Sequence, residues 1–391
     1  MSRPAFEVAD IFRQYGKAYR TGHKLTRKQH QVMWAIEHCR TDWMGYHVDQ
    51  CNHCGYTEQA FNSCRDRHCP KCQGVARHQW INSRLEQILP VSYYHSVFTL
   101  PHDLIPLAAY NRRLIFNLLF DSSAQTLLTF GRDPQRLGGE IGFYGILHTW
   151  GQTLWPHPHI HYIVPGGALT GDGRWINAPH RSRFLFPVKA LSKVFRGKFI
   201  DGLKKAYREG KLILPDDELA DARCFELWLD RLACRKWVVY CKSPFKKPEQ
   251  VVRYIGRYTH RVAISNHRLI SIDQGQIRFR YKDYKKSRIR WQEMALDAQE
   301  FIKRFLWNVL PAGFHKIRHY GFMANSRCRE QIVAIINLLS ADNSDKTIIE
   351  EGDSAPTCPQ CNKGNLVPVF IYSRIRRKGL IIRNRILLNT S

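Results

Sequence analysis

The stretch His148-Thr-Trp-Gly-Gln-Thr-Leu-Trp-Pro-His157-Pro-His159-Ile-His161-Tyr-Ile-Val-Pro-Gly-Gly167 places four imidazoles within fourteen residues. The run from His159 to Val164 reads as a β-strand, on which residues i and i+2 share a face. His159 and His161 then stand side by side, and Ile160 turns into a core. Two adjacent imidazoles on a rigid strand suit a metal ion. A third ligand is expected from a neighbouring strand. His148 ends the preceding apolar run, Ile141–His148, and a turn of ten to twelve residues returns the chain to face it. His157 is the rival, although Pro156 and Pro158 bracket it and suggest that it precedes the strand proper.

About a hundred residues later the chain reads Tyr254-Ile-Gly-Arg-Tyr258. Pro248 and Glu249 fit the first turn of a helix, on which Tyr254 and Tyr258 lie one turn apart on a shared face. Tyrosine can attack phosphorus and form a covalent ester. Arg253, Arg257 and Arg261 recur every four residues and form a cationic stripe suited to a phosphate backbone. Gly256, with no side chain, leaves room for a nucleotide. The same helix also offers Val251, Ile255 and Tyr258 as a buried stripe. The tyrosines therefore acquire a chemical reading only in combination with the histidines and the charge.

That charge is large. Lys and Arg number 60 against 33 Asp and Glu, a formal net charge of +27 over 391 residues. Such a surplus in a globular chain implies a polyanionic partner, most often nucleic acid. The basic residues concentrate at 242–261, 278–290 and 374–385, which fits a long groove. No apolar run approaches the ~20 residues that span a bilayer. The first residues lack the pattern of an export signal. A cytoplasmic protein is expected.

Six of the twelve cysteines fall between 39 and 72. Cys51-Asn-His-Cys54 and Cys69-Pro-Lys-Cys72 are two C-x2-C knuckles, which predict a four-thiolate zinc site made of Cys51, Cys54, Cys69 and Cys72. Cys39, His47, Cys64 and His68 supply either a second zinc site or buried thiols with ordinary histidines. Cys358-Pro-Gln-Cys361 resembles a further knuckle without a partner pair.

Three regions are predicted. Residues 1–90 hold an N-terminal helix, capped at Thr26 with Gln29 in a capping box, and a zinc-binding domain. Residues 91–330 form a catalytic domain with a helical insertion around 186–232, and 331–391 a C-terminal tail. Strands are expected at Tyr93–Pro101, Ile141–His148, His159–Val164 and Lys236–Lys242, a hairpin at Arg268–Tyr281 turning near Gly275, and a helix at Asp297–Leu310. Strands with intervening helices indicate an α+β fold with an antiparallel sheet.

Together these segments resemble the two-tyrosine HUH transposases of bacterial insertion sequences that move by rolling-circle transposition. The resemblance rests on Asn62-Ser-Cys-Arg-Asp-Arg-His-Cys-Pro-Lys-Cys72, Leu147-His-Thr-Trp-Gly-Gln152, His157-Pro-His-Ile-His-Tyr-Ile-Val-Pro-Gly-Gly167, Tyr254-Ile-Gly-Arg-Tyr-Thr-His-Arg-Val-Ala-Ile-Ser-Asn266 and Pro311-Ala-Gly-Phe-His-Lys-Ile-Arg-His-Tyr-Gly321. It implies an antiparallel five-stranded HUH palm with flanking helices, preceded by a small zinc-binding domain. It implies His159 and His161 as paired ligands of a catalytic Mg2+ or Mn2+, with His148 as third, beside structural Zn2+. It further implies a single-stranded DNA substrate at element ends and target, a covalent 5′-phosphotyrosine intermediate, and a nucleoid location. The imidazole donors by themselves favour a transition metal over magnesium, which manganese reconciles. A replication initiator or relaxase would use the same site, and a non-catalytic zinc protein that only binds DNA is the alternative from another class.

Overall fold

The structure, a computed structural model, describes residues 4–85, 87–178, 185–245, 256, 262–283, 290–324, 328–340 and 357–372. Two compact units emerge: Arg77–Ala263 with Arg304–Ser344, and Met1–Ala76 with Ile264–Lys303 and Asp345–Ser391.

The first of these holds a five-stranded, wholly antiparallel sheet. Its strands are β1 (Tyr93–Thr99), β2 (Phe143–Trp150), β3 (Pro156–Pro165), β4 (Val238–Phe245) and β5 (Ile317–Tyr320), in the order β5-β2-β3-β1-β4. The predicted α+β palm is thus present. β1 and β3 are buried along most of their length because both are central strands. Phe98, Leu147, Ile160, Tyr162 and Val164 face one side and bury against the helices Arg112–Arg132 and Val188–Arg208 through Phe116, Leu119, Phe120, Phe195 and Phe199. Period-two alternation along the strands meets the helical period of the covering layer here, which is what produces one continuous core. The opposite face carries Tyr93, Tyr144, Ile146 and Ile163 in a second, smaller cluster with Phe322, Met323 and Ile332. The 186–232 region is helical as expected, Val188–Arg208 and Ala222–Cys234, with Gly210 at positive φ in the break.

The other unit departs from the expected three-part division. The helix Arg27–His38 starts at Thr26 with the predicted capping box, and Val32, Met33 and Ile36 are its buried face. The strands Tyr46–Cys51 and Thr57–Phe61 form a hairpin, and Leu366–Tyr372 pairs antiparallel with the first of them. Residues 366–372 are therefore a sheet strand, not a tail. The predicted Arg268–Tyr281 hairpin exists as Leu269–Asp273 and Gln276–Asp283, turning through Gln274 and Gly275 at positive φ. That geometry matches the strand twist of a two-residue hairpin loop. A third strand, Arg290–Asp297, completes the sheet. It groups with the N-terminal segment, where the Val8 amide donates to Asn266 Oδ1 at 3.1 Å and the Gly275 amide to the Tyr15 hydroxyl at 3.1 Å. Sequence continuity favoured one uninterrupted 91–330 domain, but these long-range hydrogen bonds draw 264–303 elsewhere. No described helix is long and apolar enough to cross a membrane.

Gly145 shows how tightly the palm is built. It pairs with Tyr162 across β2 and β3, and a Cβ there would lie 2.4 Å from the Tyr162 ring. The aromatic ring covers the gap left by the missing side chain. Gly145→Ala is expected to destabilise the protein by about 1–3 kcal/mol, the usual cost of overpacking, read as a lowered urea midpoint at unchanged m-value. A midpoint equal to wild type would contradict this packing.

Candidate functional site

His148, His159 and His161 come together on the sheet face opposite the large helical core. His148 sits directly across from His159 in the β2–β3 ladder, and His161 lies two residues along β3. The ring centroids are 5.4 Å apart for His148–His159, 4.7 Å for His148–His161 and 4.9 Å for His159–His161. One ring nitrogen from each falls within 4.8 Å of the others. His148 is 3% exposed and His161 8%, whereas His159 is half-buried and opens the cluster on one side.

Hydrogen bonding selects the nitrogens. His159 Nδ1 lies 2.6 Å from the His157 carbonyl. A carbonyl only accepts, so Nδ1 carries the proton and the lone pair resides on Nε2. His161 Nδ1 lies 2.8 Å from His95 Nε2, with the two rings 8° from coplanar. His95 stands on β1, is 2% exposed, and burial followed by the charge of Lys242 lowers it to about 3, so it is neutral. The contact orients the His161 ring and couples the tautomers of the two imidazoles, since only one of the facing nitrogens carries the proton.

His95 did not stand out in the sequence because it is a lone histidine in Tyr93-Tyr-His-Ser-Val-Phe-Thr99. The available signal was parity: it lies on the same face of β1 as Val97, which pairs with His161. His157 belongs to β3, contrary to its predicted place before the strand, because ladder pairing reaches Pro156 opposite Trp150. It does not join the cluster of three. Its ring sits 5.7 Å from His102, and burial followed by that neighbour lowers its pKa.

The cysteines assort differently from the prediction. Cys39, Cys64, Cys69 and Cys72 form one group with sulfurs within 4.8 Å, and Cys51, Cys54, Cys358 and Cys361 form another. The two N-terminal knuckles therefore do not share a site. Cys51–Cys54 is the tip of the hairpin Tyr46–Cys51/Thr57–Phe61, and Cys39 and Cys64 flank its base. A strand of this length separates tip from base by roughly 17 Å. Nor are His47 and His68 in either group. His47 Nδ1 lies 3.0 Å from Asn62 Oδ1, and His68 Nδ1 2.8 Å from Asp66 Oδ1.

In the first group the Cys64 amide donates to Cys39 Sγ at 3.4 Å, and Cys64 and Cys72 sulfurs are 3.6 Å apart. Competition for protons drives Cys39 down, chiefly through the Cys64 side chain, and drives Cys64 and Cys69 up, chiefly through Cys39. Four thiolates this close repel one another unless a cation holds them, and an all-sulfur tetrad suits zinc.

Tyr254, Tyr258, Arg253, Arg257 and Arg261 lie outside the described residues. Gly256 between them is described and buried, and a Cβ on it would meet Ile81 Cγ1 at 2.2 Å. The space expected for a nucleotide at that glycine is filled by Ile81 of the helix Gln73–Leu85.

Comparison with known proteins identifies the family. Residues 142–331 match a family described as "Putative transposase", and residues 11–100 match the "Transposase zinc-binding domain" of the IS91 type. The transposase of insertion sequence IS801 from Pseudomonas savastanoi pv. phaseolicola is 30% identical over 77% of this chain and 72% of its own length. The chain belongs to the IS91-type transposases. The "Putative transposase y4qJ" of Sinorhizobium fredii is 45% identical over 96% of this transposase and 98% of its own length. A conjugative relaxase TrwC structure in complex with oriT DNA aligns over 42% of this chain and 68% of its own at 13% identity, with a TM-score of 0.24. IS91/IS801 elements move by rolling-circle transposition, and a transposase of this family acts on DNA as a nuclease and strand transferase.

His95→Ala is expected to weaken Mn2+ binding by about 10- to 100-fold, as for other partners of metal-bound histidines, with partial rescue in His95→Gln, whose amide oxygen can accept the His161 proton. Calorimetric titration checks this, and equal affinities in all three proteins would detach His95 from any metal binding by the cluster.

Proposed function

We propose that this transposase cleaves and rejoins single-stranded DNA at element ends and target through a 5′-phosphotyrosine intermediate. The observation that carries the reading is the convergence of His148, His159 and His161 on one buried sheet face, in a chain with a net charge of +27. His148, His159 and His161 would hold the catalytic cation. Three imidazoles fit Mn2+ better than Mg2+ among the two ions the family resemblance implies. When bound, such a cation polarises a phosphate oxygen and orients the phosphodiester for in-line displacement.

The remaining steps fall to the chain's own residues. The phenol oxygen of Tyr254 or Tyr258 attacks the scissile phosphorus and the P–O3′ bond breaks. The electron pair leaves with O3′, which takes up a proton as the attacking phenol gives its own up to solvent, and the 5′ phosphate stays esterified to tyrosine. The second tyrosine makes the matching cut, so bond energy is conserved as strands exchange. Arg253, Arg257 and Arg261 hold the backbone beside the phenols. His95 keeps His161 in the metal-binding tautomer. Cys39, Cys64, Cys69 and Cys72 bind a structural zinc ion beside the basic residues Arg65, Arg67 and Lys71. The protein would work in the bacterial cytoplasm, at the nucleoid where its substrate lies.

Labelled single-stranded oligonucleotides carrying candidate element ends, incubated with the protein and Mn2+, should yield adducts that survive denaturation. The double substitution Tyr254→Phe/Tyr258→Phe should abolish the adducts and leave salt-dependent binding within about twofold of wild type, because phosphate contacts supply most of the affinity. Adducts that persist in the double variant would place the nucleophile elsewhere. His159→Ala should remove metal-dependent cleavage with affinity retained, and full cleavage by that variant would exclude His159 from the centre.

A further inference from the structure

We propose that Cys51, Cys54, Cys358 and Cys361 form a second zinc site, one that clasps the C-terminal segment onto the N-terminal hairpin. The matched zinc-binding domain ends at residue 100, so the second half of this site lies outside it. The two knuckles interleave. Cys51 Sγ stands 3.7 Å from Cys361 Sγ, and Cys54 Sγ 3.7 Å from Cys358 Sγ. These separations are far beyond the ~2.05 Å of a disulfide, and four convergent sulfurs match tetrahedral zinc ligation.

The backbone around the sulfurs is arranged to receive negative charge. The amides of His53 and Cys54 donate to Cys51 Sγ at 3.3 and 3.4 Å, and the Gly364 amide donates to Cys361 Sγ at 3.4 Å. Amides directed at sulfur are the usual support of a thiolate ligand.

Four further features show that the knuckles are built to meet. A Cβ on Gly364 would come within 2.5 Å of His53 Cβ and 2.6 Å of Cys51 Sγ, so only glycine permits this approach. The Asn365 amide donates to Asn52 Oδ1 at 2.8 Å, and the Asn52 amide donates to the Asn365 carbonyl at 3.1 Å. Beyond the knuckles the two segments continue as a ladder from Cys51 opposite Leu366 to Tyr46 opposite Tyr372. Cys51, Cys358 and Leu366 are buried together beside Tyr56.

The two cysteine sites therefore differ in kind. The first is local, with all ligands between residues 39 and 72. The second joins residues 304 to 310 positions apart and closes a loop spanning most of the chain. Clips across long loops restrict the unfolded chain most. Loss of zinc there would release the strand 366–372 while leaving the first site intact.

The test uses the full-length protein. Zinc content by mass spectrometry should fall by one equivalent in Cys358→Ser/Cys361→Ser, by the same single equivalent in Cys51→Ser/Cys54→Ser, and by no more than one in the quadruple variant. Cobalt loading should show half the thiolate-to-cobalt absorbance lost in each. Unchanged zinc in Cys358→Ser/Cys361→Ser, or a loss of two equivalents in the quadruple variant, would overturn the proposal. Should the variants misfold, stepwise chelation of the wild-type protein with alkylation and peptide mapping decides the matter. Cys358 and Cys361 should become reactive in the same step as Cys51 and Cys54, separately from Cys39, Cys64, Cys69 and Cys72. Alkylation of Cys358 and Cys361 in the zinc-loaded protein, with Cys51 and Cys54 still protected, would refute the clasp.

Discussion

The antiparallel register that sets His148 opposite His159 is the constraint on which the proposed chemistry of the palm depends. A slip of one residue would turn every side chain on β2 to the other face. His148 would then enter the phenylalanine-rich core and Leu147 would take its place beside His159 and His161. Register is held by the packing of Leu147, Ile160 and Tyr162 beneath the sheet. The hydrogen bond between the Tyr162 and Ser123 hydroxyls, 2.7 Å long and fully buried, adds a directional contact. A net buried hydrogen bond of this kind contributes on the order of 1 kcal/mol, but leaving either group unpaired would cost more. Core packing and the grouping of the three histidines are therefore two consequences of one alignment.

The same logic extends to the partners of the three histidines. His95 occupies the third adjacent strand, so the cluster spans β2, β3 and β1 with no loop-borne group among its four imidazoles. Sites on rigid elements hold their geometry more closely than sites on loops. The His157 carbonyl places the proton of His159 on Nδ1, and His95 engages Nδ1 of His161. His159 then presents Nε2, and both rings are oriented by neighbours within the sheet.

The cysteine-rich unit solves a different problem. It draws on segments from both ends of the sequence and from 264–303. Such a unit benefits from cross-links, because each closes a loop whose entropy would otherwise favour the unfolded chain. Two groups of four cysteines, at the base and the tip of one hairpin, are placed where they can supply them.

Much of this was legible without coordinates. Strand parity marked His159 and His161, the apolar run Ile141–His148 marked the third histidine, and the capping box at Thr26 located its helix, because these signals depend only on neighbours a few residues away. Charge and motif order identified the class of protein. Other features required the fold. The C-x2-C spacing showed that knuckles exist but could not pair them, since the choice depends on whether a sulfur lies at the tip or the base of a hairpin. His95 is one histidine in an apolar strand, and its role arises from which strand lies beside β3. Gly256 suggested open space, and a side chain from a distant helix fills it. Local periodicity and composition act along the chain, whereas partner choice is settled by contacts between residues tens to hundreds of positions apart, which only the folded protein brings together.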